Sequence, residues 1–338
     1  MKAVTFQAHG PADNLSVVDW PVPEPEAGEV RVRIMAAAMN GFDPMILGAT
    51  TSLKTPLPMV PCGDGAGVID AIGDHVTEWS IGDRVSIMPY GDFGMMGETA
   101  IGTAREYVTL PADNLVAIPD GVGFAAAAAL PVAYGTAYRM MVTRGKVAKD
   151  DIVLVLGAAG GVGTGCVQFA RAAGARVIAT ASGQDKKRQL AELGCELVLD
   201  SSEDFVAVIR EAYGRPRYDG PGGVTMVVNY IGGDTWARSL KVLSNDGRMV
   251  TCGASAGHDP KTDIRYIWSF EQTIIGSDGW SMEDQREILE MTATGVLKPI
   301  IHAVRPFSQA REAMLDMAER RVFGKLILVP DALMSDAA

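Results

Sequence analysis

The chain is short of the residues that usually tie a protein to a disulfide framework, a structural metal or a polyanion. Its four cysteines, Cys62, Cys166, Cys195 and Cys252, are far apart and form no C-x-x-C pair. That spacing argues against a disulfide scaffold or a structural zinc site and predicts a reducing compartment. Cations are outnumbered, 30 Lys and Arg against 41 Asp and Glu, giving a formal net charge of −11. Nucleic acid and anionic membranes both need clustered Lys and Arg, so neither is expected as a partner. An anionic cofactor needs only one local basic pocket and is not excluded. Long apolar runs are also missing: the run at residues 124–132 is far below the ~20 residues that span a bilayer. The opening residues reach His9, Gly10, Pro11 and Asp13 before any apolar run, which is no secretory signal. A cytoplasmic globular protein acting on a small molecule is the expectation.

What remains is ordinary for a large core: 48% hydrophobic and 21% charged residues. At roughly 150 residues per domain, the length predicts two domains. The first third reads as β-rich, with short strands over 29–36, 66–72, 83–88, 106–110 and 114–118 and Gly/Asp turns between them. Short strands without long helices predict a compact barrel-like domain. The pattern changes near Gly121. A helix is expected over 124–144, kinked at Pro131. Strands at 151–156, 176–181, 196–199, 225–229 and 248–251 then alternate with helices at 164–173, 184–193, 204–213 and 235–243. Apolar strands separated by helices predict an α/β domain, a doubly wound parallel sheet covered on both faces. Helices at 282–294 and 308–320 and a strand at 325–329 should return to the β domain. The expected division is therefore 1–121 with 277–338, and 122–276 as the dinucleotide-binding domain. Residues 331–338 read as a frayed tail.

The strongest chemical signal is residues 152–163, IVLVLGAAGGVG, a strand running through a glycine turn into a helix. In the G-x-G-x-x-G frame Ala158 takes the first place, and Gly160 and Gly163 take the other two. Gly157, Ala159, Gly160, Gly161, Val162 and Gly163 thus form the expected cradle, where bare backbone N–H groups and a helix N-terminus meet a pyrophosphate. An NAD site places a carboxylate about 20 residues on, at the ribose 2′-hydroxyl. Here residues 179–183, ATASG, contain none. Lys186, Lys187 and Arg188 follow in the first turn of the next helix, where they oppose the helix dipole. A 2′-phosphate on the cofactor accounts for that misfit and points to NADPH. Ser182, which opens a Ser182-x-x-Asp185 capping pattern, is a second candidate donor to the phosphate.

With these features the sequence resembles the medium-chain dehydrogenase/reductase superfamily, most closely its zinc-independent quinone oxidoreductase and enoyl reductase branch. The markers are residues 1–4 (MKAV), 37–43 (AAMNGFD), 63–73 (GDGAGVIDAIG), 82–85 (GDRV), the glycine turn, 247–253 (GRMVTCG) and 323–326 (FGKL). The resemblance runs from Met1 to about Pro330. It implies a discontinuous GroES-like catalytic domain beside a Rossmann domain. Zinc-dependent members hold their catalytic zinc with Cys, His and Cys. Matched residue by residue, those positions are Asn40, Asp64 and Val132, which offer no thiolate or imidazole. Residues 91–102 lack the four-cysteine lobe, and His9, His75, His258 and His302 fall in none of the motifs. A metal-free enzyme is the expectation.

The resemblance also places Thr136 at the nicotinamide ribose. It places Asn229, Gly253, Ser255, Gly276 and Ser277 around the nicotinamide half, and Lys325 close to the cofactor. Ser201 stands where several NADPH-using relatives have a tyrosine against the 2′-phosphate. Asn40 is the candidate for orienting cofactor or substrate, with Asp43 and Asp64 beside it by motif. Residues 48–52 lack the tyrosine acid of some enoyl reductases, which leaves Tyr90 or solvent as proton donor. The implied activity is reduction of a quinone or of an α,β-unsaturated carbonyl compound. The alternatives are a zinc-free alcohol dehydrogenase or ketone reductase, and a non-enzymatic NADPH-binding protein. The resemblance further implies a homodimer joined through the sheet edge at 273–276.

Overall fold

The computed structural model describes residues 1–336; Ala337 and Ala338 lie outside the described residues. The chain divides into two compact units, Met1–Gly135 with the segment from Ser281 onward, and Thr136–Trp280.

The first unit is built on a seven-stranded sheet. Its path runs Ile301–Pro306, Lys325–Val329, Glu29–Met39, Asp64–Ile72, Arg84–Ile87, Leu115–Ala117, and Tyr107–Pro111 also pairs with Glu29–Met39. Every pairing is antiparallel except that of Ile301–Pro306 with Lys325–Val329. The EVRVRIM alternation does what a half-buried strand should: Val30, Val32 and Ile34 are fully buried and the residues between them are not. They join Ile69, Val85, Ile87, Leu326, Leu328 and Phe307 in one core. The C-terminal return expected from sequence is thus the strand Lys325–Val329, which lies directly against Glu29–Met39.

The second unit holds six parallel strands in the order Leu197–Asp200, Arg176–Ala181, Ile152–Val155, Val224–Val228, Leu243–Thr251, Thr273–Gly276. Val153, Leu154, Val155, Ile178, Val227 and Val250 are all fully buried. Strands covered on both faces have no solvent side to alternate toward, which is why the runs read as continuously apolar. This is the doubly wound sheet that the alternation predicted.

Several local expectations need correction. Residues 122–135, expected with the dinucleotide-binding domain, belong to the first unit, because helix Phe124–Ala129 packs on strands Glu29–Met39 and Asp64–Ile72. The expected helix at 124–144 is interrupted at Pro131, which has no N–H to continue the ladder. Wide turns follow at Pro131–Gly135 and Arg139–Arg144, with Gly135 N donating to Leu130 O at 3.1 Å, five residues back. The helix expected at 235–243 ends at Leu240, and the next strand begins at Leu243 and slips register between its pairings to Val224 and Met226. Asp246, at φ 58°, takes up that slip. Hairpin Lys2–Phe6 with Leu15–Asp19 and strand Ile301–Pro306 went unforeseen. Residues Asp331–Asp336 are not frayed but form 3-10 turns, anchored by the Ser308 N–H donating to Asp331 Oδ2 at 3.1 Å. Among the described residues, no helix is long and apolar enough to cross a membrane.

Gly67 sets how closely the two central strands of the first unit approach. A Cβ there would lie 2.1 Å from Arg33 O and 2.9 Å from Arg33 C. Gly67→Ala should therefore push the Glu29–Met39 and Asp64–Ile72 pair apart and cost about 1–3 kcal/mol. Urea unfolding followed by far-UV circular dichroism measures it, and an unchanged midpoint would contradict this account.

Candidate functional site

The glycine turn leaves the carboxyl end of strand Ile152–Val155 and enters helix Gly161–Ala172. Gly157 sits at φ 67°, a conformation that costs most side chains energy, and a Cβ there would press on Ile231 Cδ1 at 2.9 Å. Its N–H donates to Thr180 Oγ1 at 3.1 Å, and its carbonyl accepts from Tyr230 Oη at 2.8 Å. Gly163 allows the helix to pack on the strand end, since a Cβ would stand 2.6 Å from Ala158 Cα. Gly160 has nothing within 4 Å of its would-be Cβ. The first turn of the helix, Gly161, Val162 and Gly163, presents N–H groups that no helix satisfies internally. Its approach at Gly160 is open, the geometry a pyrophosphate needs.

Next to the turn, the strand ends bring Ala181 beside Asp200. Ser182 is exposed and Lys186 is half-buried. Ser201 N donates to Ala181 O at 3.1 Å, so Ser182, Lys186 and Ser201 belong to one corner of the sheet. The expected capping role of Ser182 is not observed: Gly183, at φ 88°, caps helix Gln184–Glu192 without a side-chain bond. Arg188 pairs with Asp185 at 2.9 Å, which makes it a surface charge. Asp200 is the carboxylate of this corner. Its pKa lies below the usual carboxylate range because Ser202 Oγ and N donate to it, at 2.7 and 3.0 Å, helped by the Gly183 N–H and the charge of Lys187.

A cavity in the same unit, about 470 Å³, is lined by Gly253, Gly276 and Ser277 together with Arg139, Arg144 and Cys252. Ser277 is buried and its Oγ has no hydrogen-bond partner among the described residues. A buried hydroxyl without a partner is costly and fits a polar ligand group. Arg144 Nε donates to Gly276 O at 3.1 Å. Both arginines escaped the sequence reading, since nothing distinguishes them from the basic end of a helix. Thr136 is half-buried at the start of this unit and Ser255 is exposed. Asn229, expected at the cofactor, is instead fully buried and spends its amide on its own loop. Its Oδ1 accepts from Ile231 N, Gly232 N and Thr235 Oγ1, and its Nδ2 donates to Ser239 Oγ.

The first unit gathers the remaining candidates into a buried network. Lys325 Nζ donates to Asn40 Oδ1 and lies 3.0 Å from Asp64 Oδ2. Asn40 Nδ2 donates to Asp64 Oδ2 at 3.1 Å, and Val132 N donates to Asp64 Oδ1 at 2.9 Å. Asp43 holds the loop under it, accepting from Asn40 N at 2.6 Å and Cys62 N at 2.8 Å. None of these four side chains is more than 4% exposed. Asp43 therefore anchors the backbone at Asn40 and Cys62, while Asp64 ties together the Asn40 and Lys325 side chains and the Val132 N–H. Lys325, expected against the cofactor, is committed to Asn40 and Asp64. Tyr90 is half-buried in a two-residue hairpin, Tyr90–Gly91 with Gly94–Met95, fixed by Asn114 Nδ2 donating to Tyr90 O at 2.8 Å. The three positions that carry zinc in zinc-dependent relatives do not fit that ion. They offer one amide, one carboxylate already matched to an ammonium, and a backbone N–H that is a donor. Among the described residues, no group of three or more His, Cys, Asp or Glu could hold a metal ion.

Comparison with known proteins matches residues 26–120 to the alcohol dehydrogenase GroES-like domain and residues 161–294 to the zinc-binding dehydrogenase family. The chain is 28% identical to the quinone oxidoreductase of Mus musculus over 97% of its own length and 98% of the mouse chain. It is 29% identical to the human synaptic vesicle membrane protein VAT-1 homolog, covering 98% of this chain and 86% of that one. Among solved structures, an NAD-dependent alcohol dehydrogenase superposes with a TM-score of 0.88 at 35% identity, covering 97% and 99% of the two chains.

Burial pushes the Asp43 carboxyl up to about 7, against the pull of the Asn40 and Cys62 N–H groups and of Lys325. A carboxyl with a raised native pKa keeps its proton in the folded state while the unfolded chain releases it. Stability from this group is complete below about pH 4 and is lost as the pH rises through 7. Asp43→Asn should remove that component of the pH dependence and cost about 1–3 kcal/mol, because an amide cannot accept from both N–H groups. Urea midpoints between pH 4 and 8 for both proteins test this, and parallel curves would refute it.

Proposed function

The chain belongs to the medium-chain dehydrogenase/reductase superfamily, and on that premise we propose that it is an NADPH-dependent, metal-free oxidoreductase. Its proposed substrates are quinones or the activated C=C of α,β-unsaturated carbonyl compounds. The observation that carries this reading is the Asn40, Asp64 and Lys325 network, with the Val132 N–H, at the positions where zinc-dependent relatives hold their ion. An isolated carbonyl gains most from a Lewis acid, since its negative charge develops on one oxygen. A quinone or enone spreads that charge, so fewer and weaker hydrogen bonds suffice.

The residues available fit a phosphorylated dinucleotide. The first turn of helix Gly161–Ala172 suits the pyrophosphate, and Ser182, Lys186 and Ser201 suit the 2′-phosphate, beyond strand Arg176–Ala181, whose end at 179–183 has no carboxylate and whose neighbour Asp200 comes from the next strand. The cavity at Gly253, Gly276 and Ser277 suits the nicotinamide half. Bound there, the dinucleotide supplies the reducing equivalent, and the chain supplies position and polarity. Tyr90 or solvent supplies the proton. The named activity of the mouse relative supports quinones as substrates, and the 35% identical alcohol dehydrogenase supports the second reading, a zinc-free alcohol dehydrogenase or ketone reductase. The four free cysteines suit the cytoplasmic setting we propose.

A steady-state panel separates the readings. With NADPH, a benzoquinone or an enone should be turned over at least ~100-fold more efficiently than cyclohexanone, a gap of about 2.7 kcal/mol in transition-state stabilisation, and EDTA should not change the rate. Alcohol-dependent NADP⁺ reduction instead would establish the second reading, and activity restored only by Zn²⁺ would end the metal-free one. Lys186→Ala should raise KM for NADPH about tenfold and leave NADH kinetics unchanged, the loss expected from one charged phosphate contact.

We also propose a homodimer through strand Thr273–Gly276. Among the described residues it pairs on one side only, with Leu243–Thr251, and Ile274 is 37% exposed on it. A second copy across a two-fold axis would satisfy that edge. Sedimentation equilibrium at micromolar concentration should give twice the 35.8 kDa chain mass, and a monomer would disprove it.

A further inference from the structure

The second unit carries another cavity, of about 490 Å³, at the opposite end of its sheet from the glycine turn. Arg210 reaches it from helix Phe205–Tyr213, Lys241 from just before strand Leu243–Thr251, and Arg265 from helix Ile264–Ser269. These elements meet at the amino ends of the parallel strands. Cofactor chemistry belongs to the carboxyl ends.

The composition of this cavity runs against the rest of the molecule. In a chain of net charge −11, it is lined by four cations, Arg210, Arg215, Lys241 and Arg265, and by a single carboxylate, Asp263. Asp263 is paired, accepting from Arg265 Nε at 2.9 Å and Nη2 at 2.8 Å. That leaves three cations facing one space. Arg210 Nη2 donates to Lys241 O at 3.3 Å, while its Nε is buried with no acceptor among the described residues. A guanidinium held among cations with a donor unspent suits an oxyanion.

Aromatic faces complete the wall. Tyr218 stacks on Phe270 with ring centroids 4.5 Å apart and planes 8° apart, and Tyr266 continues the stack at 6.1 Å and 16°. Phe270 and Tyr266 are half-buried on the inner side of the stack, yet Tyr218 remains 67% exposed and Trp268, on the same cavity, 69% exposed. A solvated charge run explains the cations but not two large exposed rings beside them. Exposed apolar packing explains the rings but not the excess of positive charge. A ligand with a flat ring and a negative group uses both.

We propose that this cavity is a second small-molecule site that binds a planar aromatic anion, a ring bearing a phosphate or similar oxyanion. Tyr218 and Trp268 supply the ring contacts, and Arg210, Arg215 and Lys241 hold the oxyanion. The site is independent of the oxidoreductase reading, because it shares no residue with the glycine turn or its neighbouring loops.

Isothermal titration of the full-length protein with 1-naphthyl phosphate tests it, with 1-naphthol and inorganic phosphate as partial probes. The expected result is a Kd on the order of 0.1 mM for naphthyl phosphate, at least about tenfold tighter than for either partial probe. Tyr218→Ala and Arg215→Ala, both at exposed positions, should each weaken binding about tenfold, and Lys186→Ala should leave it unchanged. Equal affinity for naphthol would remove the cations from the site, and equal affinity for inorganic phosphate would remove the rings; either overturns the proposal. So would absence of heat up to about 5 mM, insensitivity to both cavity variants, or loss of binding in Lys186→Ala, which would place the probe on the cofactor side.

Discussion

The first unit depends on one buried ion pair. Lys325 and Asp64 are 3% and 0% exposed in their side chains, and each charge is tolerable only because the other stands 3.0 Å away. Removing two charges from water is expensive, and their attraction offsets that only when the remaining donors and acceptors are also satisfied. Here they are largely matched. Asp64 takes Lys325 and Asn40 on one oxygen and the Val132 N–H on the other. The pair therefore does more than neutralise itself. It fixes strand Asp64–Ile72, the residue that follows strand Glu29–Met39, the first residue of strand Lys325–Val329 and the turn at Pro131–Gly135 at one point. Register makes this meeting inevitable, since Ala38 lies opposite Asp64 and Leu326 opposite Met39.

That network also connects architecture to chemistry. The same loop positions that carry metal ligands in zinc-dependent relatives here carry a cross-link made of ordinary side chains. A cation is still present, but it belongs to the chain and spends two of its three donors on Asn40 and Asp64. What the site can offer to a reaction is fixed polarity and shape. In the second unit the glycine turn and its helix terminus present backbone N–H groups, and the cavity at Gly253 and Ser277 adds two arginines and a cysteine to its small residues.

Much of this was legible in the sequence, and the parts that were not have common causes. The doubly wound sheet was readable because strands buried on both faces must be apolar throughout, as residues 152–155 and 224–228 are. The glycine turn was readable because Gly157 and Gly163 answer steric demands that no other residue meets. Asn40, Asp43, Asp64 and Lys325 were found by motif, yet their roles were not. Their burial and mutual bonds arise from segments 285 residues apart, and no local rule carries such information. Asn229 misled for a related reason: an amide after a strand serves equally to greet a ligand or to staple its own loop, and its four bonds decide for the second. Thr180, whose hydroxyl accepts from Gly157 N, was invisible because in sequence it is simply a β-branched residue in a strand. Short hairpins such as Tyr90–Gly91 with Gly94–Met95 carry too few residues for a period to emerge.

The insertion of one unit within the other has a consequence for biosynthesis. Strand Glu29–Met39 leaves the ribosome early, but its neighbour Lys325–Val329 emerges only after all of Thr136–Trp280 has been translated. The contiguous unit can complete its own sheet co-translationally. The discontinuous one must wait with a central strand half-paired, its aliphatic face open to chaperones or to neighbouring nascent chains. A strand made late thus closes a sheet begun early, and removing Lys325–Val329 would be felt most strongly at Glu29–Met39, far away in the sequence.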